Sequence, residues 1–371
     1  NSGFMCLSKM YEKLRKGTFA VLFFSIFPLD LVGEQQTELN SVAKTLLENT
    51  EAKSAQKIET FILPKAKTLT APSYPRRAQR AEREGWVSVN FMVDSHGKPY
   101  EISVDGYSSE VFVGAAKRAV EKWDFEPASI DGRPIEAAVS YRMTFELSGA
   151  SQASNSFGRT FKSVIKAVAS KDQEAAQLLL DKMKIKKSNL YEEAFYWLSR
   201  YYFAQTWQDT STQYRALHRA LFRDSSDKYF LPDKSIPGLL LNQLGLEVKQ
   251  NYLRDALDTS VLLDQYTLSP RDLNYLEEIV SQIDQIKKGD GIVIVKGSIG
   301  SDNSFYHLLL KSRFRFSEVS GDIAELRLRC EKGYVGFVYQ EEIAFEVDDE
   351  AGECSLQVIG DPGTTFKLLE L

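Results

Sequence analysis

Several things this chain has little of narrow its chemistry. Histidine and cysteine each occur only three times in 371 residues. His96 falls in a turn sequence, His218 in a helical pattern and His307 on a strand pattern, and no two stand at the spacing of a metal-binding pair. Cys-x-x-Cys, the phosphate-cradling glycine loop and the Gly-x-Ser-x-Gly elbow are all missing. Acidic pairs such as Glu341-Glu342 read as solvated edges. The expectation is a protein that is not an enzyme, with no catalytic residue, no metal and no cofactor. Positive charge is also in short supply. Lys and Arg total 46 against 51 Asp and Glu, without a long block of either sign. That disfavours a nucleic-acid partner, which needs a basic face. Arg76, Arg77, Arg80 and Arg83 form a small basic cluster, but Glu82 and Glu84 interrupt it, and it reads as a solvated helical face.

A long apolar run is lacking too. Residues 19–27 are apolar, but Pro28 and Asp30 follow, and a bilayer-spanning helix needs about 20 apolar residues. Lys9, Lys13, Arg15 and Lys16 precede the run, which is the pattern of a signal peptide. Residues 1–33 are therefore expected to be a signal peptide or a short membrane anchor, with Met5 and Met10 as candidate starts. Cleavage is expected near Glu34, although Leu31-Val32-Gly33 lacks the small-x-small pattern. The expected outcome is export, with an uncleaved N-terminal membrane anchor as the alternative. Cys6 belongs to that segment. Cys330 and Cys354 both lie in strand-like stretches, and an even pair in an exported chain suggests a disulfide. Two buried thiols are the alternative.

What is present divides the chain into a multidomain α+β protein. Residues 34–71 read as a partly helical linker, with Leu39, Val42, Leu46 and Leu47 at helical spacing and Pro64 and Pro72 near its end. In residues 72–147, Trp86, Ser88, Asn90 and Met92 alternate with Val87, Val89, Phe91 and Val93, a half-buried strand. A turn at residues 94–98 leads to a return strand. Next comes a helix with the stripe Val111, Phe112, Ala115, Ala119, Val120, which Ser108 or Ser109 is expected to cap. A long alternating strand then runs up to Leu147, completing a ββαβ order. Residues 148–156 form a second linker. Residues 157–288 carry seven helical patterns, near 159–169, 172–184, 190–204, 210–223, 237–249, 251–265 and 271–287. Ala176, Ala216 and Ala256 recur 40 residues apart, a weak mark of helical repeats. These look like degenerate tetratricopeptide-type repeats, and a non-repeating bundle is the alternative. The aromatics between Tyr191 and Trp207 read chiefly as core. From residue 289 the period switches to two, in seven strand candidates separated by turn residues. That predicts a small all-β sandwich over 289–371.

Residues 72–147 also carry an ordered set of motifs. They open Pro72-Ser73-Tyr74-Pro75 and continue Gly85-Trp86-Val87. A helix then leads into Trp123-Asp124-Phe125-Glu126-Pro127-Ala128, followed by Gly132-Arg133-Pro134. This order resembles the TonB C-terminal domain, a periplasmic module that contacts outer-membrane transporters. The resemblance covers about a fifth of the chain. It implies that a receptor's short extended segment, the TonB box, adds as a strand to the sheet edge at residues 138–146. It makes Tyr74, Pro75, Val139, Tyr141, Met143 and Phe145 the expected partner-binding residues, with both faces of the last strand as candidates. Trp123 and Phe125 are expected as core anchors. The implied partner is an outer-membrane TonB-dependent receptor or its plug, and the implied role is siderophore or nutrient transport. An inner-membrane proton-channel complex is a further implied partner. The chain departs from the family pattern in its short apolar run, its proline-poor spacer and the long sequence after the domain. The competing expectation is a periplasmic envelope scaffold that binds other proteins through its helical repeats.

Overall fold

The computed structural model describes residues 61–371, apart from 131, 148–150 and 349–350. The targeting segment, Cys6 and most of the first linker lie outside the described residues.

Ten elements make the first domain. They are β1 (Phe61–Ile62), β2 (Lys65–Thr68), α1 (Arg76–Arg80), β3 (Gly85–Val93), β4 (Pro99–Tyr107), α2 (Val113–Val120), β5 (Asp124–Glu126), β6 (Ala128–Ile130), β7 (Arg133–Ile135) and β8 (Ala137–Phe145). The ββαβ order is present, with β4, β3 and β8 in one antiparallel sheet in that order. Val87, Val89, Phe91 and Val93 share one face of β3 and are fully buried. They pack with Ala115, Ala116, Ala119 and Val120 of α2 and with Phe112, Trp123 and Phe125. The domain starts ahead of residue 72, because β1 pairs with β6 and β2 with β5. Trp123 fastens this leader by donating its indole N–H to the Thr70 carbonyl at 2.8 Å. The expected serine cap is not made. Ser109 precedes a 3-10 turn without a side-chain cap bond, and the Ser108 hydroxyl accepts the Trp86 N–H at 2.9 Å. The turn glycine Gly97 is required by its surroundings. Its φ is +83°, and a Cβ there would lie 2.0 Å from the Phe125 carbonyl oxygen.

Seven helices follow, as the periodicity predicts: α3 (Asn155–Ala169), α4 (Gln173–Lys186), α5 (Leu190–Thr206), α6 (Thr210–Ala220), α7 (Ile236–Lys249), α8 (Leu253–Leu263) and α9 (Pro270–Lys288). Ser154, Asp172, Asn189, Asp209 and Ser269 cap α3, α4, α5, α6 and α9 through their side chains. Successive helices pack as hairpins, α3 on α4, α5 on α6 and α7 on α8, and α9 closes the array on α8. The three alanines spaced by 40 residues take the same place, each on the second helix of a hairpin with no exposed surface. Of the aromatics from Tyr191 to Trp207, Tyr196 and Tyr201 are buried and the others are half-buried against the array's core.

The last eight strands are β9 (Val293–Ser298), β10 (Ser304–Leu308), β11 (Arg313–Ser320), β12 (Ile323–Cys330), β13 (Gly333–Val338), β14 (Ala344–Glu346), β15 (Cys354–Gly360) and β16 (Thr365–Glu370). They form two four-stranded sheets, β10-β15-β12-β13 and β14-β11-β16-β9, with a shared apolar interior. Strand β11 is not among the strands expected from sequence. Its alternation, Phe314 and Phe316 inward against Arg313 and Arg315, is interrupted by a bulge near Glu318, which has a φ of +49°. Cys330 and Cys354 sit directly opposite each other on β12 and β15, with their sulfurs joined. Among the described residues no helix is long and apolar enough to cross a membrane.

Candidate partner-binding edge

Strand β8 pairs with β3 along its whole length, from Phe145 opposite Gly85 to Ala137 opposite Val93. No strand pairs with its other side among the described residues. An edge of this kind leaves a row of N–H and C=O groups without sheet partners, which is what an added strand requires. The long alternation Ala137, Val139, Tyr141, Met143, Phe145 places the strand by turning one set of side chains inward. Met143 is 4% and Phe145 2% exposed. The Tyr141 ring meets Trp123 edge-on at 4.9 Å, and Val139 packs against the same core. These four side chains therefore hold β8 to its own domain, and what β8 offers outward is backbone. Ser140, on the opposite face, is exposed, and its hydroxyl donates to Asn90 Oδ1 at 2.6 Å.

Tyr74 and Pro75 lie close to one end of β8. Tyr74 stands edge-on to Phe112 and Phe145 at 6.1 and 5.9 Å, and its hydroxyl donates to the Arg83 carbonyl at 2.8 Å. Burial, and secondarily the Glu84 charge, push its phenol up to about 12. Pro75 is the extended residue before α1. This pair thus clamps the chain ahead of α1 onto the end of the sheet, a structural task next to the candidate edge.

The second face of the sheet is covered by the rest of the chain. Trp86, 5% exposed, stacks on Phe222 at 4.2 Å. Arg142 pairs with Asp227 at 2.9 Å, and Arg223 shares that carboxylate at 2.8 Å. At the other end Arg327 donates to Glu101 at 2.6 Å, and Tyr100 meets Tyr334 edge-on at 6.4 Å. Glu84 fastens the junction. Its carboxylate accepts the N–H of Leu147 at 2.9 Å and that of Leu190 at 3.1 Å, and its own N–H donates to the Ser188 carbonyl. Burial raises the Glu84 carboxyl above its ordinary range, against the pull of those two N–H donors. Neither Glu84 nor Trp86 is singled out by the sequence reading as a joint. The available signal was that Trp86 and Met92 stand at the two ends of the nominally solvent-facing set, and both are buried. Both faces of the sheet are thus largely covered within the chain, with Asp105 and Ser140 still exposed, and its edges remain.

Residues 70–147 match the family model described as Gram-negative bacterial TonB protein C-terminal. Among solved structures, the solution NMR structure of the Pseudomonas aeruginosa TonB CTD is similar at 26% identity. It covers 27% of this chain and 99% of its own length, with a TM-score of 0.22. No curated protein matches. A TonB C-terminal domain, a protein-interaction and transport module, thus occupies about a fifth of the chain.

Proposed function

We propose that this is a periplasmic protein of TonB type that captures an extended segment of an outer-membrane TonB-dependent transporter along the outer side of β8. In that reading the receptor's TonB box adds as a fourth strand beside β8. Backbone hydrogen bonds supply the affinity, and side chains along the rim choose the partner. The role is support of siderophore or nutrient transport, with an inner-membrane proton-channel complex as a further partner. The observation that carries the reading is the unpaired outer side of β8 inside the segment that matches the family model. The disulfide Cys330–Cys354 is in keeping with an oxidising compartment.

A cross-linking scan tests strand addition directly. Ser140→Cys places a thiol on an exposed position of β8 without touching the core. A synthetic TonB-box peptide carrying one cysteine at successive positions should form disulfides at alternate positions only, because strand side chains alternate in direction. Uniform cross-linking, or none, would contradict the proposal. The second reading, a scaffold that binds other envelope proteins through its helical array, draws support from the matching buried alanines of the three hairpins. It predicts that the full chain still captures its principal partner after β8 is blocked.

A further inference from the structure

The chain is acidic overall, but one surface of it is not. Helix α4 buries Ala176, Leu180 and Met183 and turns a second apolar set outward. Leu178 and Ile185 are 71% and 78% exposed. Seven residues apart on a helix, they lie on one stripe about 10 Å apart along the axis. Lys182, Lys184 and Lys186 are exposed around them. The fold brings a second basic group to this helix. The Glu84 N–H donates to the Ser188 carbonyl, which sets Arg83 beside the C-terminal end of α4. Arg76, Arg77 and Arg80 on the short helix α1 are exposed just before it in the chain. The acidic residue that follows Arg83 does not neutralise this group, because Glu84 is turned inward onto the N–H groups of Leu147 and Leu190. Lys187 is held by Glu193 and does not contribute. The opposing charges exposed here are Glu82, Asp172 at the helix N-cap, Glu174 one turn before Leu178, and Asp181, which accepts from Gln177 at 2.9 Å; the seven basic residues named outnumber them.

We propose that this face docks on an anionic lipid surface, with Leu178 and Ile185 entering the headgroup boundary and the lysines and arginines meeting lipid phosphates. Two features favour a bilayer over an acidic protein. The apolar side chains project from the outer face of one helix, which suits a flat surface, whereas a peptide needs a groove. Long basic side chains beside them can bury their stems and keep their charges at the headgroups. The proposal is independent of the transporter reading. It would hold the protein against a membrane.

The test is co-sedimentation of the full chain with vesicles of phosphatidylcholine, alone or with phosphatidylglycerol, at low and physiological salt. Binding to the anionic vesicles is expected, and it should weaken with salt. The triple variant Lys182→Gln, Lys184→Gln, Lys186→Gln should lower partitioning by about a hundredfold, since each basic residue near such a surface contributes roughly fivefold. The pair Leu178→Ser, Ile185→Ser should lower it at least about tenfold, because two aliphatic side chains then stay in water. All five positions are exposed, and an unchanged thermal midpoint of each variant controls for folding. Equal binding by wild type and both variants would place any membrane contact elsewhere in the chain and overturn the proposal. Capture of a polyglutamate peptide in preference to anionic vesicles would overturn it in favour of an acidic protein partner.

Discussion

Two sheets in this chain face the same difficulty and resolve it differently. The C-terminal sandwich packs its two sheets face to face and covers the inner face of each with the other. The three-stranded sheet of the first domain has only α2 to cover it, and that serves one face. Its other face is closed by Phe222, Asp227, Arg327 and Tyr334, all supplied by later parts of the chain. The first kind of sheet finds its cover close by in sequence, whereas the second depends on residues that the fold brings to it from far along the chain. The difference also explains why β8 is the outstanding candidate: with both faces largely covered, an edge is the part of this sheet that remains to be extended.

The largest effect expected from breaking this arrangement comes from Trp86→Ala. Removing a buried indole from between two domains should cost about 3–5 kcal/mol. Urea unfolding followed at probes in the first domain and in the helical array should then separate into two transitions where the wild type shows one. Trp86→Phe should be much milder, since it keeps the stack on Phe222 and removes an indole N–H that has no partner. Cys330→Ser acts on the other sheet. It opens a loop of 24 residues in the unfolded chain's constraint, which by chain entropy is worth about 3 kcal/mol. The loss should be confined to the sandwich and be matched by adding a reductant to the wild type. A reductant that leaves the midpoint unchanged would show that this bridge does not stabilise the domain.

The smallest effect is expected in the helical array, between the two sheets. Glu247 in α7 is 1% exposed. Its Oε1 accepts from Gln243 at 2.7 Å, and the Thr259 hydroxyl lies near the same carboxyl. Burial, reinforced by the nearby Asp255 charge, pushes its carboxyl up to about 8. A carboxyl raised on folding stabilises the native state fully below its ordinary pKa and loses that contribution as pH climbs through about 8. The thermal midpoint of the helical array should fall by a few degrees from pH 5 to pH 9. Glu247→Gln should flatten that slope. A slope unchanged in the variant would assign the pH dependence to other groups.

Much of the architecture was legible in the sequence because the signals were local. The seven helices of the array lie close to the predicted spans, since their apolar residues recur at helical spacing. The Gly85 to Val93 strand and the α2 stripe were readable from their periodicity too. Strand β11 was not, because two arginines and a bulge obscure the inward pair Phe314 and Phe316. The candidate site was half legible. The motif order pointed to the last strand, and β8 does lie at an edge. Met143 and Phe145 are buried, while Val139 and Tyr141 pack against the core and stay half-buried, so how each side chain sits depends on tertiary packing that the sequence does not spell out. The covering of the sheet by distant residues had no local signature, since Trp86 and Phe222 lie far apart in sequence.

Amide hydrogen exchange on the full chain, with and without a synthetic TonB-box peptide, reports where an added strand lies. The peptide should slow exchange at alternate amides of β8, those directed away from β3, and leave β4, the other edge of the sheet, unchanged. Protection that appears on β4 or in the helical array while β8 stays as it was would contradict strand addition at β8.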